Sequence, residues 1–137
     1  YASPDFVSIW TTGYDYSGGA HGGASGTGIH VDLRTGRIVG FDDLFDEKAR
    51  AEIDKRCLKQ VKAEKAERGT GEDGDDPDLA KNVSEVVKNL ANWSIKEREA
   101  SVYFGQYSVG PYVEGVYGCD LPIADLNTLS KVPLPPR

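Results

Sequence analysis

The most constraining feature of the chain is an amphipathic stretch that runs from about Glu47 to Glu67. Apolar side chains recur in it at every fourth position, at Ala49, Ile53, Cys57 and Val61. This spacing puts them on one face of a helix and leaves charged residues on the opposite face. Asp46 precedes the stretch and fits an N-cap. The pattern therefore predicts a long helix that lies on a sheet.

A second helix is predicted after an acidic loop at about residues 69–77. Asp76 fits its N-cap and Pro77 its first helical position. Its buried face would consist of Leu79, Val83, Val86, Val87 and Leu90. Asp73 and Asp75 have the spacing of calcium ligands, but the glycine and the glutamate that complete a calcium loop are missing. We interpret the segment as a solvated loop between the helices and predict no metal site.

Strand-like segments rich in aromatic and β-branched residues precede and follow the helices. We predict strands at residues 6–16, 29–33, 38–41, 93–95, 100–104 and 116–121, with a glycine-rich loop over residues 18–28. His30 alternates with apolar residues and is interpreted as part of the polar face of its strand. The order of the elements predicts one α+β domain over residues 1–137, with a mostly antiparallel sheet covered on one face by two amphipathic helices.

The charge of the chain argues against several classes of partner. Its formal net charge is −6 and its isoelectric point is about 4.9. Phosphate backbones and anionic lipids would be repelled by such a surface. No run of apolar residues approaches the roughly 18 that a membrane span needs. We therefore expect neither nucleic-acid binding nor membrane insertion by this domain.

The segment from Tyr16 to Gly23 is the clearest candidate for a shaped loop, because four glycines surround His21. Glycine permits positive φ and close backbone approach. The segment matches neither a phosphate loop nor a dinucleotide fingerprint, so no cofactor is predicted. Tyr14 and Tyr16 approach it from the preceding strand. His21 either locks the loop or contacts a ligand, and we favour these roles over catalysis, for which no partner group is near in sequence.

A second cluster, from Tyr103 to Gly115, is rich in tyrosine and glycine. Tyrosine offers a large contact area with a polar tip, which suits recognition but also packs loops onto sheets. The candidate ligand-binding residues are Tyr14, Tyr16, His21, Tyr107 and Tyr112. The candidate structural motif consists of Gly18, Gly19, Ala20, His21, Gly22, Gly110, Pro111 and Gly115.

The two cysteines, Cys57 and Cys119, do not have the spacing of a zinc site. Cys57 falls on the apolar stripe of the first helix and Cys119 in a short apolar strand. Both therefore face the core, either as a disulfide or as two separate buried thiols.

These motifs resemble a bacterial family of domains of unknown function. That family is best known from the extracellular part of the lysozyme-sensing anti-sigma factor RsiV, and a similar region accompanies the peptidoglycan deacetylase PdaC. The resemblance is carried by residues 16–22, 35–37, 42–45, 104–107, 110–115 and 121–126. It implies an α+β fold similar to a subdomain of the heat-shock-cognate ATPase, without nucleotide binding. It also implies a location outside the cytoplasm, which favours the disulfide.

The expected function is a non-catalytic extracytoplasmic binding domain. Its ligand would be a cell-envelope protein such as lysozyme, or a peptidoglycan-related glycan. The alternatives are an accessory domain of a cell-wall hydrolase or deacetylase, a weak hydrolase with His21 as general base, and a purely structural spacer.

Overall fold

Two three-stranded antiparallel sheets share one core in the computed structural model, which describes residues 1–70 and 76–136. The first sheet has the order β1 (Phe6–Asp15), β2 (Gly23–Asp32) and β3 (Arg37–Ile38). The second has the order β4 (Trp93–Ile95), β5 (Glu99–Phe104) and β6 (Tyr117–Pro122). The predicted α+β class is confirmed, and the antiparallel strands form two small sheets.

Four α-helices complete the fold of the described residues. They are α1 (Phe41–Leu44), α2 (Glu47–Glu67), α3 (Leu79–Val87) and α4 (Ile123–Leu126). The predicted first long helix corresponds to α2, and its N-cap is confirmed because the Asp46 carboxylate accepts a hydrogen bond from the Ala49 N–H at 2.8 Å. Its predicted stripe is buried. The helices α2 and α3 pack against each other and against β6 and β5.

The start of α3 differs from the prediction by two residues. The Asp76 carboxylate accepts a hydrogen bond from the Asp78 N–H at 2.9 Å, and its carbonyl accepts one from Leu79 at 3.1 Å. These bonds form a turn before the helix, so α3 begins at Leu79. Of the predicted acidic loop, residues 71–75 lie outside the described residues.

The prediction of a loop over residues 18–28 is wrong for most of that range. Strand β2 begins at Gly23 and pairs with β1 over ten positions, from Asp15 opposite Gly23 to Phe6 opposite Asp32. Its glycines are needed for close packing: a Cβ at Gly26 would overlap the ring of Trp10, and one at Gly28 would overlap the carbonyl of Trp93. A glycine-rich segment is a strand here because its partners occupy the space of the side chains.

The interpretation of His30 as part of the polar face of its strand is also wrong, because that face is buried. Its side chain is only 1% exposed, and its Nε2–H donates to the carbonyl of Leu90 at 3.0 Å. Burial lowers the pKa of His30, although the hydrogen bond to Leu90 opposes this shift. Ile29 on the other face is 44% exposed. The first sheet thus turns part of its apolar face outward, because β4 packs against the face that carries His30.

A disulfide joins Cys57 of α2 to Cys119 of β6. Both residues are fully buried, and their Cα atoms are 5.2 Å apart. Of the two arrangements that the sequence left open, the bridge is the one present. It ties the long helix to an edge strand of the second sheet. Within the described ranges, no helix has the length and apolar character needed to cross a bilayer.

Candidate functional site

Two loops meet at one end of the first sheet. The glycine loop comprises residues 16–22, between β1 and β2, and the tyrosine loop comprises residues 105–116, between β5 and β6. The His21 ring stacks on the Tyr112 ring with 3.7 Å between centroids and 16° between planes. The Tyr112 hydroxyl donates to the Gly22 carbonyl at 2.8 Å. This stack and this hydrogen bond hold together segments that are 90 residues apart in the sequence.

The glycine loop depends on its glycines at three positions. Gly18 has φ 100° and Gly19 has φ 105°, a region that other residues rarely adopt. A Cβ at Gly22 would overlap the Tyr14 hydroxyl. The Tyr16 hydroxyl donates to the Gly19 carbonyl at 3.1 Å and closes the turn. Tyr14 and Tyr16 thus shape the loop as well as presenting their rings to solvent.

The tyrosine loop is anchored by a carboxylate that the sequence did not single out as functional. Lys65 Nζ lies 2.6 Å from Glu114 Oε2, and the Tyr117 hydroxyl donates to the same oxygen at 2.7 Å. The Lys65 and Glu114 side chains are only 12% and 9% exposed. Burial by itself would raise the pKa of Glu114, but the hydrogen bonds from Lys65 and Tyr117, together with the positive charges of Lys65 and Arg68, lower it.

Arg68 reinforces this anchor from the end of α2. Its guanidinium lies 4.1 Å from the centroid of the Tyr117 ring and donates to the Val116 carbonyl at 2.8 Å. Such cation–π contacts stabilise most when they are partly desolvated. The sequence pattern places Lys65 on the charged face of the first long helix and Arg68 just after the predicted end of that helix. Their position near the helix end is the signal that could have placed them close to a loop.

Two glycines of the candidate motif now have a physical reason. A Cβ at Gly110 would overlap the Glu114 carboxylate, so this position must be small for the ion pair to form. Gly115 has φ 76°, where a side chain would be strained. Pro111 precedes the 3₁₀ turn Tyr112–Glu114 and has φ −66°, which proline adopts without cost. These residues shape the support beneath Tyr112.

The surface above this support is aromatic and open. The His/Tyr surface comprises Tyr14, Tyr16, His21, Tyr107 and Tyr112, the five candidate ligand-binding residues. Tyr14, Tyr16 and Tyr107 are 73%, 61% and 66% exposed. The Tyr107 ring centroid lies 5.8 Å from that of Tyr112. His21, Tyr107 and Tyr112 form one continuous group, whereas Tyr14 and Tyr16 stand beside it across the glycine loop.

Among the described residues, the contacts of His21 are a ring stack and one backbone carbonyl. Its Nδ1 lies 3.4 Å from the carbonyl of Gly22, and no side-chain carboxylate or hydroxyl bonds to it in the described part of the chain. A histidine that acts as a general base usually has an orienting carboxylate and a nucleophile within reach. Over the same residues, no three His, Cys, Asp or Glu side chains are grouped as metal ligands. The arrangement is suited to stacking and hydrogen bonding.

Comparison with known proteins identifies the family but no activity. The family model described as a protein of unknown function (DUF3298) matches residues 42–124, which is more than half of the chain. The chain therefore belongs to the DUF3298 family. No curated protein matches it.

Solved structures of the same family share the fold. A DUF3298 family member from Bacteroides fragilis NCTC 9343 aligns with a TM-score of 0.67 at 17% identity, over 94% of this chain and 50% of that one. A DUF3298 family protein from Pseudomonas aeruginosa PAO1 aligns with a TM-score of 0.62 at 20% identity, over 97% of this chain and 59% of that one. The chain thus spans between half and three fifths of these structures.

Proposed function

We propose that this member of the DUF3298 family is a non-catalytic extracytoplasmic binding domain that uses the His/Tyr surface to recognise its ligand. The observation that carries the proposal is the His21–Tyr112 stack at 3.7 Å, with the exposed Tyr107 ring beside it. Stacked rings offer a rigid apolar platform with polar edges, and little side-chain entropy is lost when it binds.

The support beneath the platform favours recognition over packing alone. The buried Lys65–Glu114 ion pair and the Tyr112 hydrogen bond hold the platform in place before a ligand arrives. A preorganised surface loses less free energy on binding than one that must order itself. Tyr107 itself has φ 69°, an unfavourable backbone conformation for tyrosine, and its side chain is exposed. Strain of this kind is typical of functional positions.

Two classes of ligand suit such a platform in the cell envelope. One is a protein such as lysozyme, since a basic partner would be attracted by the net charge of −6. The other is a peptidoglycan-related glycan, whose apolar sugar faces pack on aromatic rings. The buried disulfide supports the compartment, because disulfides persist where the environment is oxidising.

The proposal is tested by calorimetric titration of the full chain with lysozyme and, separately, with soluble muropeptides. We expect one of them to bind, and Tyr107→Ala to weaken that binding at least about tenfold, as for an aromatic hot spot. Leu33→Ala is the matched control, because Leu33 is a half-exposed apolar residue at the opposite end of the hairpin. If folded protein binds neither ligand, or if both variants weaken binding equally, the proposal fails.

His21→Ala separates binding from the enzymatic alternative. If His21 is part of the platform, the variant binds the ligand more weakly. Its hydrolase or deacetylase activity on peptidoglycan does not fall below that of the wild type. Loss of a measurable wild-type turnover, with an unchanged circular dichroism spectrum, would instead assign His21 to catalysis. That result would overturn the non-catalytic assignment.

A further inference from the structure

A concave site lies at the other end of the first sheet from the His/Tyr surface. A cleft of about 680 Å³ runs between β3 on one side and the segment 132–136 on the other. Phe6 and Leu44 lie at its buried base. Its volume is in the range of ligand-binding clefts. The ten-residue length of β1 separates it from the glycine loop by roughly 30 Å, so it is independent of the proposed function.

One wall of the cleft is the free edge of a sheet. The Val39 N–H donates to the His30 carbonyl at 2.8 Å, so Val39 directs its polar backbone groups toward β2. Neighbouring residues of a strand alternate in this direction. The N–H and C=O of Ile38 therefore point away from β2, across the edge of β3. Strand β3 is only two residues long, so this edge offers the N–H and C=O of Ile38 to an added strand.

The side chains on either side of this edge suit a strand that is added there. Ile38 is 72% exposed and lies opposite Val31 on the outer face. Both Ile38 and Val39 line the cleft, and Val39 lies on the alternate face, which also carries Phe6. Because successive side chains of a strand point to opposite faces, a guest strand would place alternate residues over Ile38 and into the cleft.

The opposite wall is held in position. The Lys131 N–H donates to the Leu44 carbonyl at 2.8 Å, and Leu134 donates to the Asn127 side chain at 2.7 Å. The Ser3 hydroxyl donates to the Pro136 carbonyl at 3.1 Å. The cleft is therefore open between two fixed walls, and a guest would not have to displace the segment 132–136.

The charges at the rim decide which guest fits. Asp32 is engaged by Arg34, whose backbone N–H and Nε lie 2.9 and 3.4 Å from the same carboxylate oxygen. The remaining charged residues that line the cleft are Asp5, Asp43 and Arg37. The Asp43 carboxylate accepts a hydrogen bond from the Gly40 N–H at 2.8 Å, and the Asp5 carboxylate has no hydrogen bond or ion pair within the described ranges. With two acids against one base, on a chain of net charge −6, the rim favours a cationic guest.

We infer that this cleft binds an extended cationic segment of another protein, which pairs with β3 through Ile38 and places apolar side chains over Phe6 and Leu44. The occupant is an alternating apolar and basic strand. Main-chain hydrogen bonds supply the affinity and the acidic rim selects the charge, as in other strand-addition sites.

The probe is an acetylated and amidated heptapeptide of alternating lysine and valine, titrated into the ¹⁵N-labelled full chain. We expect the amide resonances of Ile38, Val39 and Leu44 to shift, while those of the glycine loop stay in place. A peptide with glutamate in place of lysine should bind at least about tenfold more weakly. Equal binding of the two peptides, or shifts confined to the glycine loop, would overturn the inference.

Two changes test the strand pairing directly. N-methylation of the central peptide residues removes their donors, and Ile38→Pro removes the outward N–H of β3, a change that edge strands tolerate. Each should weaken binding at least about tenfold, the equivalent of roughly 1.4 kcal/mol. The methylated peptide keeps the test valid if the proline variant does not fold. Unchanged affinity with the methylated peptide would refute strand addition.

The rim charge is tested by Asp5→Asn, with Asp42→Asn as the matched control. Asp42 is an exposed acid on α1 that does not line the cleft. We expect only Asp5→Asn to weaken the lysine peptide and to reduce the salt dependence of its binding. Sedimentation velocity completes the test. A dimer of the chain that Ile38→Pro disperses would show that a second copy occupies the edge, and would overturn the assignment to a cationic partner.

Discussion

Reduction of the disulfide is the perturbation whose magnitude follows most directly from the structure. The bridge closes a loop of 62 residues between Cys57 and Cys119. For a loop of this length, the chain-entropy model gives about 4 kcal/mol of stabilisation at 25 °C, through restriction of the unfolded chain. With an unfolding entropy of roughly 2.1 cal/mol/K per residue, the same free energy lowers the melting temperature by about 14 °C.

The assay is urea denaturation followed by tryptophan fluorescence, with and without a strong reductant. Because both sulfurs are buried, the reductant must be present during unfolding and refolding. The double variant Cys57→Ala/Cys119→Ala is the matched control, since its midpoint should not respond to reductant. Alkylation of the unreduced protein under denaturing conditions should label neither cysteine.

Two results would refute this reasoning. Labelling of both thiols in unreduced protein would show that the bridge does not form. A loss of less than about 1 kcal/mol on reduction would show that the unfolded chain is restricted by something other than this loop.

Three further predictions follow from individual buried contacts. Gly28→Ala should lower the unfolding free energy by about 1–3 kcal/mol in urea denaturation, because the added Cβ would overlap the Trp93 carbonyl. Gly23→Ala on the same strand should leave the unfolding free energy almost unchanged, because no atom beyond its own chain neighbours lies within 4 Å of the added Cβ. The pKa of His30 is lowered in the fold, so on acidification the unfolded chain takes up a proton before the folded chain does. The unfolding free energy should therefore fall as the pH drops below about 6.5, by at most about 1.4 kcal/mol per pH unit. The variant His30→Asn should remove that pH dependence. The pKa of Glu114 is also lowered, so its contribution to the unfolding free energy should be fully present above about pH 4.5 and lost as the pH falls through the folded pKa. The variant Glu114→Gln should lose roughly 3 kcal/mol of unfolding free energy at pH 7, because Lys65 stays buried without a counterion. If the loss of stability at acidic pH is the same in Glu114→Gln as in the wild type, this reasoning is wrong.

The helices could be predicted because their signals are local. The four-residue spacing of apolar side chains and the cap at Asp46 lie within α2 itself, and both were confirmed. The burial of both cysteines followed from the same stripe and from the pattern of the later strand. Whether their sulfurs were bonded depended on the distance between α2 and β6, which no local pattern contains.

The strand β2 was misjudged because its signals are not local. Glycine is unfavourable in an isolated strand, and the residues that make it necessary, Trp10 and Trp93, belong to other elements. The same packing placed His30 inside and left Ile29 half exposed, against the usual interpretation of alternating residues. The carbonyl that satisfies His30 comes from Leu90, sixty positions away.

The candidate site also combines features that the sequence displays with features that only the folded structure produces. The sequence alone identified the residue types of the His/Tyr surface, since glycine clusters and tyrosine-rich segments stand out by composition. Only the tertiary structure decided that His21 stacks on Tyr112 and that Glu114 anchors the tyrosine loop through Lys65. Helix periodicity is set by neighbours within four residues, which the sequence displays. Ring stacking, buried ion pairs and the choice of the buried sheet face depend on distances between remote segments, and those exist only once the chain has folded.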